Sequence, residues 1–142
     1  MDVSGSPLYL LDTNTAGYIV SGRSPLVRNR LRESLAGSLV AVSAITEAEI
    51  AYGLELRPEA ARLRAAVEKL FEAIEVRPWD STAARAYGRL RVRLKAAGTP
   101  LQELDLLIAA HAAALGAVLV SHDRAFQHVA AFVTVIDWAT DL

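Results

Sequence analysis

The chain has no cysteine, which excludes disulfide scaffolds, zinc–thiolate sites and thiol nucleophiles together. Metal chemistry through oxygen or imidazole ligands stays open. Charge of one sign is also missing: 15 Lys and Arg stand against 16 Asp and Glu, a formal net charge of −1. Bulk charge therefore does not coat nucleic acid, and any such contact must come from a local basic patch. The first residues, Met1-Asp2-Val3-Ser4-Gly5, lack the basic stretch of a secretory signal, and Asp12 interrupts the short apolar run behind them. Only Leu106 to His122 approaches membrane-spanning length without a formal charge. Gly116 splits it, and an alanine-rich half gives way to Val118-Leu119-Val120. A buried helix followed by a buried strand accounts for this pattern, so we expect no membrane span and a cytoplasmic location.

What is present is an apolar, moderately charged chain of 142 residues, 53% hydrophobic and 22% charged. That composition supports a real core and opposes disorder, and the length suits one domain over residues 1–142. Short apolar runs at Leu8–Leu11, Leu39–Val42, Ile74–Val76, Val118–Ser121 and Phe132–Ile136 read as strands covered on both faces. Helical stretches lie between them. Pro25–Leu35 follows a Ser24-Pro25 start, and Thr46–Leu56 opens with the capping-box pattern Thr46-x-x-Glu49. Residues 59–73 and 81–97 are periodic and alanine-rich. Thr99-Pro100-Leu101-Gln102 predicts a further helix start, running to about Leu115 and stopping at Gly116. Strands alternating with helices predict a three-layer α/β/α domain with a mostly parallel central sheet of about five strands.

Ligands of such sheets bind beyond the carboxyl ends of the strands. Asp12 follows the first strand, Glu49 lies early in the helix after the second, and Asp123 follows the fourth. Asp105 sits in the first turns of the helix that feeds the fourth strand. Four carboxylates delivered to one edge repel one another unless cations hold them, and up to two Mg²⁺ or Mn²⁺ ions suit hard oxygen ligands. Each acid also has a plainer reading. Asp12 and Asp123 suit helix caps, and Glu49 suits the capping box with Thr46. Asp105 is different, because its helical neighbours Leu101, Gln102, Ile108 and Ala109 include no base. Glu47 and Glu103 read as solvated first-turn acids, with Glu103 placed to touch the site from its edge.

Tyr9-Leu-Leu-Asp-Thr-Asn14, Ser43-Ala-Ile-Thr-Glu-Ala-Glu-Ile-Ala-Tyr-Gly53, Asp105-Leu-Leu-Ile-Ala-Ala-His-Ala112 and Leu119-Val-Ser-His-Asp-Arg-Ala-Phe126 together resemble PIN-domain proteins of the VapC toxin type. The match spans nearly the whole chain in the family's order. The resemblance implies a parallel α/β/α fold and a metal-dependent endoribonuclease, the toxin of a type II toxin–antitoxin pair. Its acids fall on Asp12, Glu49, Asp105 and Asp123, with Thr13 and Ser121 as supporting hydroxyls. Such an enzyme hydrolyses RNA with water activated by Mg²⁺ or Mn²⁺, leaving a 5′-phosphate and a 3′-hydroxyl. A cognate antitoxin and a homodimer are implied as well, the antitoxin filling an apolar groove on the early helices, where Tyr18, Ile19, Ile50, Tyr52 and Leu54 read either as its lining or as core. One departure stands out: Gln102-Glu103-Leu104 replaces the glycine and small or polar residue that often precede the third acid.

Other residues divide between function and surface. Arg85, Arg89 and Arg93 form an i, i+4, i+8 stripe suited to RNA phosphates, or to a solvated face that keeps its helix soluble. Arg28, Arg30 and Arg32 read as ordinary surface. His111, His122 and His128 share no metal-ligand spacing; His111 reads as a core residue, and His122 adjoins Asp123 within reach of a phosphate. The alternatives are a PIN nuclease of RNA processing without an antitoxin and a non-catalytic binding domain. A phosphotransfer domain wants a lysine after a late strand, and none follows Lys95.

Overall fold

The computed structural model describes residues 5–142; Met1–Ser4, on which the absence of a basic leader was read, lie outside the described residues. The elements run β1 (Leu8–Leu11), α1 (Thr13–Ser21), α2 (Pro25–Leu35), β2 (Leu39–Ser43), α3 (Ala44–Leu56), α4 (Ala61–Ala73), β3 (Glu75–Arg77), α5 (Ser81–Ala97), α6 (Glu103–Leu115), β4 (Val118–Val120), a 3₁₀ segment (Arg124–Val129) and β5 (Val135–Ile136). The five strands form one sheet in the order β3-β2-β1-β4-β5. Every neighbouring pair is parallel. All the carboxyl ends therefore emerge along one edge, where the loop and helix starts after β1, β2 and β4 meet.

Side chains alternate between the two faces of these short strands. Leu10, Ala41 and Leu119, opposite one another in register, pack on one face against Leu90 and Leu94 of α5, Ile108 and Ala109 of α6, and Phe126. Leu11, Val42 and Val120 face the other way, against Ala16 and Ile19 of α1, Val27 and Leu31 of α2, Leu70 of α4, and Trp138. The result is the expected three-layer α/β/α arrangement. Leu10, Leu11 and Leu119 are fully buried, so each contributes about 2 kcal/mol of transfer free energy.

The long uncharged run resolves as predicted. α6 ends at Gly116, whose φ of 63° is the left-handed C-cap that glycine adopts without strain, and β4 follows. Among the described residues no helix is long and apolar enough to cross a membrane.

Three boundaries differ from expectation. α3 begins at Ala44, capped by the Ser43 hydroxyl, which accepts from the Ile45 amide at 3.1 Å; Thr46 lies inside the helix, and no capping box forms. Thr99 and Pro100 close α5 instead of opening α6. Gly98 turns left-handed there, and the Thr99 amide donates to the Leu94 carbonyl at 3.1 Å in a Schellman arrangement. α6 then starts behind Gln102. In the last strand only Val135–Ile136 pairs; Phe132 stays outside the sheet and is 39% exposed.

Candidate active site

Asp12 ends β1 in the middle of the sheet and is buried. Its Oδ1 accepts from the Thr15 amide at 2.8 Å, which caps α1, and its Oδ2 accepts from the Ser121 hydroxyl at 2.6 Å. Burial raises its pKa, the two hydroxyl and amide partners oppose that rise, and the nearby Asp123 charge adds to it. The cap reading is thus correct, yet the carboxylate keeps lone pairs for a cation. Around it the β1–β4 seam is closely stitched. The Asp12 amide donates to the Val120 carbonyl at 3.0 Å, and the buried Thr15 hydroxyl donates to the same carbonyl at 3.2 Å. Ser121 also accepts from the Asp123 amide at 3.0 Å, so one hydroxyl ties together the ends of both strands.

Glu49 arrives from α3 by a different device. The Thr13 hydroxyl donates to its Oε1 at 2.6 Å and lies 3.1 Å from the Thr46 hydroxyl. Thr13 has a single hydroxyl proton, and that proton faces Glu49, so Thr46 must be the donor to Thr13. Thr46 is fully buried, and its hydroxyl sets the orientation of the pair. Sequence reasoning assigned Thr46 to a helix cap. The signal that it serves the site is its i, i+3 relation to Glu49, which puts both on one face of α3.

Asp105 stands in the first turn of α6, half-buried. Its pKa is pushed up to about 6, first by burial and then by the charges of Asp123, Asp12 and Glu49. Among the described residues it forms no ion pair, in keeping with the absence of a basic helical partner in the sequence. The charges of Asp12, Glu49 and Asp123 thus all reach Asp105. Asp123 is the most open of them; its Oδ1 accepts from the Ala125 amide at 2.9 Å and caps the 3₁₀ segment.

The donor set fits a hard divalent cation: four carboxylates, one of them half protonated near pH 6, with hydroxyls behind two. The side chains are not already drawn to ligating distances. Among the described residues no three Asp, Glu or His groups stand close enough to share one ion.

Other predicted residues go elsewhere. Glu103 accepts a hydrogen bond from the Tyr87 hydroxyl, which Arg91 also contacts at 2.8 Å, so it faces α5 and not the acids. Glu47 is an exposed first-turn acid of α3. His111 is a core residue, its Nδ1 2.8 Å from the Ser43 hydroxyl, and burial pushes its pKa down. His122 pairs with Asp137 at 2.8 Å. Arg28 donates from Nε to the Ile19 carbonyl at 3.0 Å and closes the end of α1. Arg85, Arg89 and Arg93 are exposed along α5. Arg93 lies 5.1 Å from the Phe132 ring centre, and Arg89 and Arg93 share a cavity wall with Ala113, in the last turn of α6. That is the end of α6 away from Asp105.

The PIN domain family matches residues 9–132. The tRNA(fMet)-specific endonuclease VapC of Salmonella typhimurium is 35% identical over 133 residues, covering 92% of this chain and 97% of that protein. Ribonuclease VapC1 of Haemophilus influenzae is 32% identical, over 86% and 92% of the two chains. Among solved structures, VapBC2 from Rickettsia felis bound to a promoter DNA fragment superposes with a TM-score of 0.86 at 26% identity, covering 92% of this chain and 98% of that one. DNA-bound VapBC from Salmonella typhimurium gives a TM-score of 0.84 at 31% identity, over 93% and 98%. With the parallel sheet already described, these likenesses place the chain in the PIN-domain family, among ribonucleases of the VapC type.

Proposed function

We propose that this protein is a divalent-metal-dependent endoribonuclease and the toxin of a type II toxin–antitoxin pair. The observation that carries the reading is Asp105, a half-buried acid in no ion pair among the described residues, within reach of the charges of three other acids at the carboxyl edge of the sheet. An uncompensated cluster of this kind has little structural value, since like charges in a half-buried site destabilise the fold. Its relatives are named as VapC ribonucleases, and its structural neighbours are VapBC complexes.

In this reading Asp12, Glu49, Asp105 and Asp123 hold Mg²⁺ or Mn²⁺, up to two ions. The bound metal supplies Lewis-acid charge at the phosphate and acidifies a water. The chain's own residues set the geometry. Ser121 fixes Asp12 on the β4 side, while Thr13, held by Thr46, aims Glu49. Asp105, unbonded, is the acid free to turn toward a ligand. Water adds to phosphorus, the bond to the 3′-oxygen breaks, and the proton ends on that oxygen, giving a 5′-phosphate and a 3′-hydroxyl.

The same reading includes residues 1–142 as one domain, Arg85, Arg89 and Arg93 as outlying phosphate contacts, and a cognate antitoxin. The antitoxin would fill the cavity of about 390 Å³ between α1, α2 and α4, lined by Ile19, Val20, Leu31, Leu35 and Leu70. A homodimer would cover Tyr52 and Leu56, exposed one turn apart on α3.

The test is cleavage of a labelled, structured RNA pool by the purified protein in Mg²⁺ or Mn²⁺, with EDTA and Asp105→Asn alongside. Cleavage that needs metal and is lost in Asp105→Asn supports the nuclease. A folded protein that binds neither metal nor RNA refutes it.

A further inference from the structure

Beside Asp123 a cavity of about 520 Å³ opens at the carboxyl ends of β4 and β5, within the usual size range for a small-molecule site. Ser121 and Asp123, both part of the acidic site, also line it, together with His122, Arg124, Gln127 and Asp137. The side chains there are unlike those of the acid cluster: an imidazole, a guanidinium and a carboxamide. The surface continues onto α1. The His122 ring meets the Tyr18 ring edge-on with centres 6.2 Å apart, and the Arg23 guanidinium lies 5.7 Å from the Tyr18 ring centre. Neither Arg23 nor Arg124 is in an ion pair among the described residues, and both are exposed. His122 and Arg124 line the cavity, while Tyr18 and Arg23 lie beside it through the His122 ring; arginines set among aromatic rings are what single-stranded nucleic acid uses, stacking bases on rings and setting phosphates on guanidinium groups.

The α5 stripe offers no such arrangement next to the acids. Its cavity touches Ala113, which follows Asp105 by eight residues of α6, about 12 Å along the helix axis.

We propose that Arg23, Tyr18, His122, Arg124 and Gln127 form the track that holds single-stranded RNA against the cutting site. Tyr18 and His122 present the stacking faces, Arg23 and Arg124 take the phosphates, and Gln127 contacts a base edge inside the cavity. His122 is held in place by Asp137, which pairs with the ring on the cavity wall. The assignment rests on the nuclease reading and adds to it the residues that choose where the strand lies.

The test measures anisotropy of a labelled single-stranded RNA in EDTA across a salt series, and cleavage of the same RNA in Mn²⁺. Tyr18 packs partly against the core, so Tyr18→Leu keeps apolar volume while removing the ring, and Tyr18→Phe restores the face. Tyr18→Leu is expected to weaken binding about tenfold, with Tyr18→Phe near wild type. Arg124→Ala should make the salt dependence shallower by about one ion. Gln127→Ala should change which nucleotide flanks the cut. The comparison protein carries Arg85→Ala, Arg89→Ala and Arg93→Ala together. If that triple variant loses RNA while Tyr18→Leu and Arg124→Ala bind as wild type, the track is overturned and the nuclease stands. If the two single-site variants lose only antitoxin binding, the strip is a protein interface and the proposal also fails. Wild-type protein that neither binds nor cuts RNA would remove both readings.

Discussion

Asp12 and Asp105 are the same residue type serving one cluster, yet their surroundings are opposite. Asp12 sits in a seam where each oxygen has a partner and the backbone of β1 is bonded to that of β4. Asp105 rides on a helix, half-buried, with three carboxylates near it and no partner to offset them. One acid has been absorbed into the architecture, and the other has been left exposed to repulsion. The difference shows which part of a metal site the fold can build unaided. If the proposed metal binds, hydrogen bonds preset its ligand at the sheet, and the acid on the helix is the one a cation would settle.

The sharpest way to break this comparison is to remove each acid. Asp12→Ala should abolish cleavage and also lower stability by about 1–2 kcal/mol, because it deletes a helix cap and strands the Ser121 hydroxyl. Asp105→Asn should reduce cleavage about a hundredfold or more while leaving the metal-free melting temperature unchanged or higher. Activity assays with calorimetric melts separate the two, and equal destabilisation would erase the distinction.

Metal should act mainly on the unsatisfied side. At about 100 times its Kd, a divalent ion that binds only the folded protein adds about 2.7 kcal/mol. Melts with and without Mn²⁺ should show that gain in the wild type and little of it in Asp105→Asn.

The pH dependence has a fixed sign. The folded pKa of Asp105 is raised from an ordinary value of 3.8 to about 6, so the folded state binds its proton more tightly than the unfolded chain. Stability from this group is full below pH 4 and is lost as pH rises through about 6. Denaturant titrations of metal-free protein between pH 4 and 7 should show that decline, and Asp105→Asn should flatten it. A wild-type profile rising across the window would contradict the assignment.

Smaller effects come from the supporting hydroxyls. Ser121→Ala should cost about 1 kcal/mol, since it loosens the seam and leaves Asp12 with one partner fewer. Thr46→Val, similar in shape, should lower metal affinity severalfold by freeing Thr13, with Thr46→Ser near wild type. Titration calorimetry reads both, and loss of affinity in Thr46→Ser as well would point to packing as the cause.

Much of this site was visible in the sequence because its acids follow apolar runs whose meaning is local. Leu8–Leu11 and Val118–Val120 are recognisable as strands from their own composition, and Gly116 as a helix stop from its own backbone freedom. The errors arose where a local pattern had a competitor. Thr99 resembles a cap until the chain before it claims its amide for the end of α5, and Thr46 matches a capping box until Ser43 caps the helix one turn earlier. Phe132 continues an apolar run, yet it packs beside Arg93 outside the sheet. The neighbours of Tyr18 were hidden for a different reason: His122 lies 104 positions away, and no spacing rule joins them. The one hint was His122 itself, beside the fourth acid and within reach of a phosphate.

β1 occupies the centre of the sheet but is the first strand to be made, while its site partners Ser121 and Asp123 come near the end of the chain. A growing polypeptide therefore carries Asp12, Glu49 and Asp105 before the seam that orders Asp12 can close. Completion of the site depends on the last fifth of synthesis, so truncated or stalled chains are born inert. For a ribonuclease, the order of translation itself would act as a safety catch.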